Sequence, residues 1–210
     1  MAAPVVIVGA ILVRLAAKKV LKQYLKNQSK QTLKRLGKRG GKICKNCKQR
    51  VKCFKKGKKG TDEELDRQLE MQEAALNNLT PDELETALKN FKGRPSDGNA
   101  RAGERAKASR ELERMLDNEL RQGGVGAAER DRVVKSEVSR MMKGMDALHT
   151  LDWAGGGDGS MSGVGPKSEN RSIGGSWSSR RQELLDMAQD AKKSGAENMS
   201  IKLQRCKPGV

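Results

Sequence analysis

Thr61 and Thr80 each stand three residues ahead of a glutamate, Glu64 and Glu83, and apolar residues recur behind both at helical spacing. A threonine that accepts from the third helical amide, with a glutamate reaching back, is a helix-start signature. Pro81 reinforces the second start, because its ring holds the first helical residue in a helix-compatible conformation. Leu65, Leu69, Leu76 and Leu79 mark one face of the first helix; Leu84, Leu88 and Phe91 mark one face of the second. Gly93 to Gly98, with Pro95 inside it, reads as a loop. Three more helices are expected: Ala100 to Gln122, closed by Gly123 and Gly124; Ala127 to Leu148; and Arg180 to Lys193, closed by Gly195. Residues 154–176 are rich in Gly and Ser, and Met199 to Leu203 alternates as a short strand does. With two Trp, one Tyr and two Phe in 210 residues, a large sandwich or barrel is disfavoured, since pleated cores draw on aromatic and β-branched side chains. The expected fold class is mainly α, with at most a short C-terminal strand. It comprises a single helical domain over residues 61–205 behind a basic N-terminal arm over residues 1–60.

That arm holds 19 of the 43 Lys and Arg and none of the 26 Asp and Glu, so the formal charge of +17 belongs to it and leaves the body near neutral. Such an arm suits a polyanion: a phosphodiester backbone, an acidic membrane surface or an acidic protein. Ala2 to Val13 is apolar but too short to cross a bilayer as a helix, which takes about 20 residues. It also lacks the basic leader and cleavage pattern of a secretory signal peptide. Val6, Leu12, Leu15, Val20 and Leu25 interleave with Lys18, Lys19, Lys22 and Lys26, the pattern of an amphipathic basic helix that lies on a membrane or docks to a partner. Cys44, Cys47 and Cys53 read CxxCx5C, and Cys206 is the remaining cysteine. Four thiolates make a tetrahedral Zn2+ site if Cys206 packs against the arm. Two disulfides, or free thiols, are the alternatives.

His149 is the chain's one histidine, followed by Asp152 at i+3 and then by Gly155, Gly156 and Gly157. At the end of a helix that spacing puts both side chains on one side. An imidazole accepts a proton from water near neutral pH, and a carboxylate beside it orients the ring or holds Mg2+, which prefers oxygen ligands. Glycines such as Gly155 and Gly156 let backbone N–H groups close on a phosphate, while Asn170 and Ser172 offer neutral hydrogen bonds to phosphate or metal. The competing explanation is structural: a histidine favoured by a helix C-terminus, followed by a flexible linker.

His149-x-x-Asp152, the glycines behind it and the block Asn170-Arg171-Ser172-Ile173-Gly174-Gly175-Ser176-Trp177 resemble the type fifteen domain of bacterial polymorphic toxins, marked by an HxxD motif. Arg67 to Glu73 and Asn77 to Glu83 are similar to that domain's opening segment, and the resemblance runs from about Cys53 to Leu203. It departs at Arg171, Gly175 and Ser176, where family members tend to carry Ser, Ser and Gln. The resemblance implies an antibacterial nuclease: a Mg2+-dependent DNase delivered by type VI secretion and paired with a cognate immunity protein, often GAD-like. His149 and Asp152 would be its catalytic pair, with His149 as general base and Asp152 as Mg2+ ligand or orienting group. Asn170 and Ser172 would support phosphate or metal, and Gln72 and Glu73 would face the site from the first helix. The expectation is a chain made in the producer's cytoplasm without a signal peptide and acting in the cytoplasm of a target bacterium. Its arm would serve the secretion machinery, a chaperone or transient membrane contact. An RNase toxin, or a non-enzymatic basic binder of nucleic acid, are the alternatives, since nothing in the sequence reads a 2′-hydroxyl.

Overall fold

The computed structural model describes residues 3–37 and 39–207, with side chains from Ile11 onward. In chain order it contains α1 (Ala3–Leu36), α2 (Asp62–Leu76), α3 (Pro81–Asn90), α4 (Gly98–Gln122), α5 (Ala127–Lys143), β1 (Met145–His149), β2 (Met161–Pro166), α6 (Lys167–Trp177) and α7 (Arg181–Lys193). Single 3-10 turns lie at Trp153–Gly155 and Ser178–Arg180. The architecture is mainly helical, around one two-stranded antiparallel sheet.

The two helix starts form for the expected reason, with one difference. At α3 the capping box is complete: Glu83 N donates to Thr80 Oγ1 at 3.1 Å and Thr80 N donates to Glu83 Oε2 at 2.7 Å. At α2, Thr61 Oγ1 accepts from Glu64 N at 3.2 Å, but the Thr61 amide is taken by Glu169 Oε1 of α6 at 2.5 Å. Glu64 turns instead to Arg67 and Gln68. The cap of α2 is therefore half local and half tertiary.

The largest departure from the sequence expectation lies behind α5, which ends at Lys143 rather than Leu148. Gly144 closes it, and Met145–His149 is strand β1. Met145, Asp146, Ala147 and Leu148 are all buried, so the strand lacks the polar alternation that separates a strand from a helix. Its partner β2 comes out of the Gly- and Ser-rich stretch, as does α6. Asp146 faces Gly165, Ala147 faces Val164 and Leu148 faces Gly163; an irregularity between Leu148 and His149 then sets His149 against Met161. Met199–Leu203 forms no ladder. The C-terminal segment instead makes isolated parallel bridges, Arg50 to Lys202 and Phe54 to Arg205.

Two apolar cores flank the hairpin. Leu65, Leu69 and Leu76 of α2, Leu84 and Leu88 of α3, Ile173 and Trp177 of α6, and Leu184 of α7 make the first, closed by Phe54 and Ile201. The second joins Val13, Ala17, Val20 and Tyr24 of α1 to Ala108, Leu112 and Leu116 of α4 and to Val134, Val138 and Met142 of α5. The first helix of the basic arm is thus a wall of the second core. Val20 and Leu25 face inward as the pattern predicts, Leu12 and Leu15 are exposed, and the side chain of Val6 lies outside those described. Buried Gln28 acts as a third strand: its Oε1 accepts from Val164 N and its Nε2 donates to Val164 O, both at 3.1 Å. Gly163 leaves room for it, since a Cβ there would fall 2.1 Å from Gln28 Cδ, and its φ of +110° suits glycine. No helix among the described residues is long and apolar enough to cross a membrane.

The four cysteines pair two by two, Cys44 with Cys47 and Cys53 with Cys206. The sulfurs are committed to disulfides, which replaces the four-thiolate Zn2+ set by one of its alternatives.

Candidate active site at the seam of the two cores

The chain crosses from the second core, where Met145 and Val164 are buried, to the first, where Leu151 and Ala154 are buried. His149 and Asp152 lie on that crossing. The loop joining α3 to α4 makes the same crossing in the opposite sense and meets them there.

His149 ends β1, and the irregularity just before it re-aims its side chain, a common use of such bulges. Its Nε2 lies 2.6 Å from Asp97 Oδ2, with both side chains under one-fifth exposed. Asp97 is the N-cap residue of α4 yet makes no side-chain cap bond. Its carboxylate is turned to the imidazole, with Arg101 3.9 Å from the other oxygen. Trp153 stands edge-on to the ring, centroids 6.0 Å apart. Nδ1 makes no hydrogen bond to the described residues.

Asp152 does not orient the imidazole. Its Oδ1 accepts from Ala154 N at 2.9 Å and starts the 3-10 turn. Both its oxygens face Arg94 Nη2, at 3.0 and 3.1 Å. The same nitrogen donates to Gly174 O at 2.7 Å. Gly174 permits this approach, because a Cβ there would lie 3.2 Å from Asp152 Oδ2 and 3.4 Å from Arg94 Nη2. The two members of His149-x-x-Asp152 are thus held apart, each by one member of Arg94-x-x-Asp97. The result is a mixed patch of imidazole, guanidinium and two carboxylates.

The other expected residues divide. Gln72 is brought in: its buried Oε1 accepts from Trp177 Nε1 at 2.8 Å and lies 3.4 Å from the Asp152 amide, so it supports the turn from below. Glu73 is not; it binds Lys202 Nζ and Leu203 N, both at 2.8 Å, and anchors the C-terminal segment. Gly155 and Gly156 are buried with their amides turned inward, Gly155 N to Asp152 O and Gly156 N to Trp153 O. They therefore form a tight turn against Trp177 rather than an open anion nest. Ser172 Oγ donates to Lys55 O at 2.6 Å and ties α6 to the arm segment. Asn170 is half-buried one turn before Gly174, on the same face of α6, and makes no side-chain hydrogen bond with the described residues. Arg171 pairs with Asp146 at 3.2 Å. Asp158, in the bend behind the turn, is held below the usual carboxylate range by the Ser160 amide.

Arg94 and Asp97 are the residues that sequence reasoning passed over as loop. Their signal was modest: opposite charges three apart in a proline-containing connection, the kind of place where binding groups gather.

Magnesium does not fit this donor set as folded. It is usually held by one or two carboxylates together with water and substrate phosphate, and here both carboxylates are engaged, Asp152 by a guanidinium and Asp97 by the imidazole. Among the described residues no three His, Cys, Asp or Glu side chains converge as a cation cage.

The class of protein to which this domain belongs is that of the polymorphic toxins. Within that class the chain belongs to the Novel toxin 15 family, whose sequence profile matches residues 59–206, from just ahead of α2 to the cysteine that closes the long disulfide. No curated protein matches it.

Proposed function

We propose that the toxin domain hydrolyses phosphodiester bonds, those of DNA first, with His149 as general base. The observation that supports this reading above the others is the 2.6 Å contact between His149 Nε2 and Asp97, two side chains that both keep some exposure. A carboxylate on Nε2 favours the tautomer with its proton there, which leaves the Nδ1 lone pair for water. Water then attacks phosphorus as its proton passes to Nδ1, the P–O bond to the leaving nucleotide breaks, and Asp97 stabilises the imidazolium, as an aspartate does in hydrolytic triads. The leaving oxygen takes its proton from solvent, because the chain has no second histidine. Base, orientation and cationic charge all come from this chain's own side chains. Exposed Lys18, Lys26 and Lys30 on α1 draw a polyanion to the molecule. Delivery into the cytoplasm of a target bacterium, and an immunity protein that covers the seam, complete the reading.

The test is incubation of the full chain with plasmid DNA and with RNA, with Mg2+ or with EDTA. His149→Ala is expected to lower cleavage by about 10²- to 10⁴-fold, and Asp97→Asn to lower it without changing the melting temperature. Undiminished cleavage by His149→Ala removes the base. Retardation of DNA with no products under any condition favours a non-enzymatic binder.

A further inference from the structure

We infer that Arg94 is the group that grips the scissile phosphate, and that the aspartate of HxxD, Asp152, acts by positioning that arginine rather than by holding a metal. The inference rests on the phosphodiesterase reading above and adds a substrate-binding residue to it.

The arginines of this molecule show what a structural guanidinium looks like. Arg180 is buried and spends every nitrogen on the protein, with Nε on Lys52 O, Nη1 on Ser176 O and Nη2 on Cys53 O. Arg67 likewise spends Nε and Nη2 on Glu64 and Nη1 on Ser29. Arg94 differs. A single nitrogen, Nη2, carries all three of its protein contacts, to both oxygens of Asp152 and to Gly174 O. Nε and Nη1 have no partner among the described residues, and the side chain is 49% exposed against 13% for Asp152. One corner is anchored and the rest of the fork faces outward. A planar fork with donors to spare is the geometry that binds phosphate oxygens in pairs.

Its place fits the role. Arg94 is three residues from Asp97, with Pro95 stiffening the link, so the loop that orients the imidazole also sets the cation. Positive charge fixed before the reaction and aimed at the developing phosphorane charge is the kind of stabilisation that lowers such barriers most. A divalent cation on Asp152 would compete with this guanidinium for Oδ1 and Oδ2 and, at Oδ1, with the Ala154 amide as well.

The experiment uses the full chain. Binding of a fluorescent DNA duplex is followed by anisotropy in the His149→Ala background with EDTA present, so that it reports on Arg94 whether or not the wild type cleaves. Adding Arg94→Ala is expected to weaken binding at least several-fold and to reduce the slope of log affinity against log salt by about 1. Arg94→Lys, which keeps the charge and guards against misfolding, is expected to retain that slope but to lower kcat about tenfold or more in the active background. Asp152→Asn keeps a capping side chain for the turn; it is expected to lower kcat and to leave the response to Mg2+ and EDTA the same as in wild type. Unchanged affinity, salt slope and kcat in Arg94→Ala overturns the inference. So does a large rise in the Mg2+ requirement on Asp152→Asn, which marks that residue as a metal ligand. Absence of cleavage by the wild type sinks the phosphodiesterase reading instead.

Discussion

Gly174 is the glycine against which the Arg94–Asp152 pair closes. As alanine it would gain helix stability, about 1 kcal/mol in an exposed helix interior, yet its Cβ would press 3.2 Å from Asp152 Oδ2 and 3.4 Å from Arg94 Nη2. The two effects point in opposite directions. Gly174→Ala is therefore expected to melt at or slightly above the wild-type temperature while cleaving about tenfold more slowly, and thermal unfolding beside a cleavage assay checks both. A fall in stability with activity retained would mean that the clamp yields freely. At this scale the i, i+3 spacing of His149 and Asp152 was legible because it is local. Their partners Asp97 and Arg94 were not, because which carboxylate meets an imidazole from 52 positions away is a property of folded space.

Among the elements, the helices with capping signals and leucine faces were legible, and the hairpin was not. β1 is buried along nearly its whole length and so carries no period-two pattern, and β2 is a run of small residues that reads as linker. What holds β2 on its free side is a side chain, Gln28, supplied by the helix read from sequence as part of an arm. Gln28→Ala would leave the N–H and C=O of fully buried Val164 without partners, a loss of about 1–3 kcal/mol for each group left unsatisfied. Urea unfolding should show it as a lower midpoint at unchanged slope. An unchanged midpoint would mean that α1 contributes no such third strand. Since α1 packs on α4 in the second core, a chain cut back to the toxin domain alone loses one wall of that core.

On the scale of the whole molecule, the Cys53–Cys206 disulfide spans 153 positions and fastens the C-terminal segment to the strand-like stretch ahead of α2. Next to it Phe54 packs edge-on to Trp177, centroids 5.0 Å apart, and Trp177 donates to the Gln72 oxygen that supports the Asp152 turn. Cys206→Ser, which opens this bridge alone, is expected to remove about 2–4 kcal/mol of stability by freeing the unfolded chain, and reduction, which opens Cys44–Cys47 too, at least as much. It should also lower cleavage through that line of contacts. Thermal melts and cleavage assays with and without reductant check this, and equal values in both would show the bond to be incidental. The amino-acid sequence alone determined the helical class and the four helices with clear boundary signals, because caps and periodicity act over a few residues. Only the tertiary structure decided that the His149–Asp152 pair is split between Arg94 and Asp97, that the basic helix is a wall and that the cysteines join as two bridges. Those outcomes depend on which distant groups are buried together, and burial is a cooperative property of the whole chain.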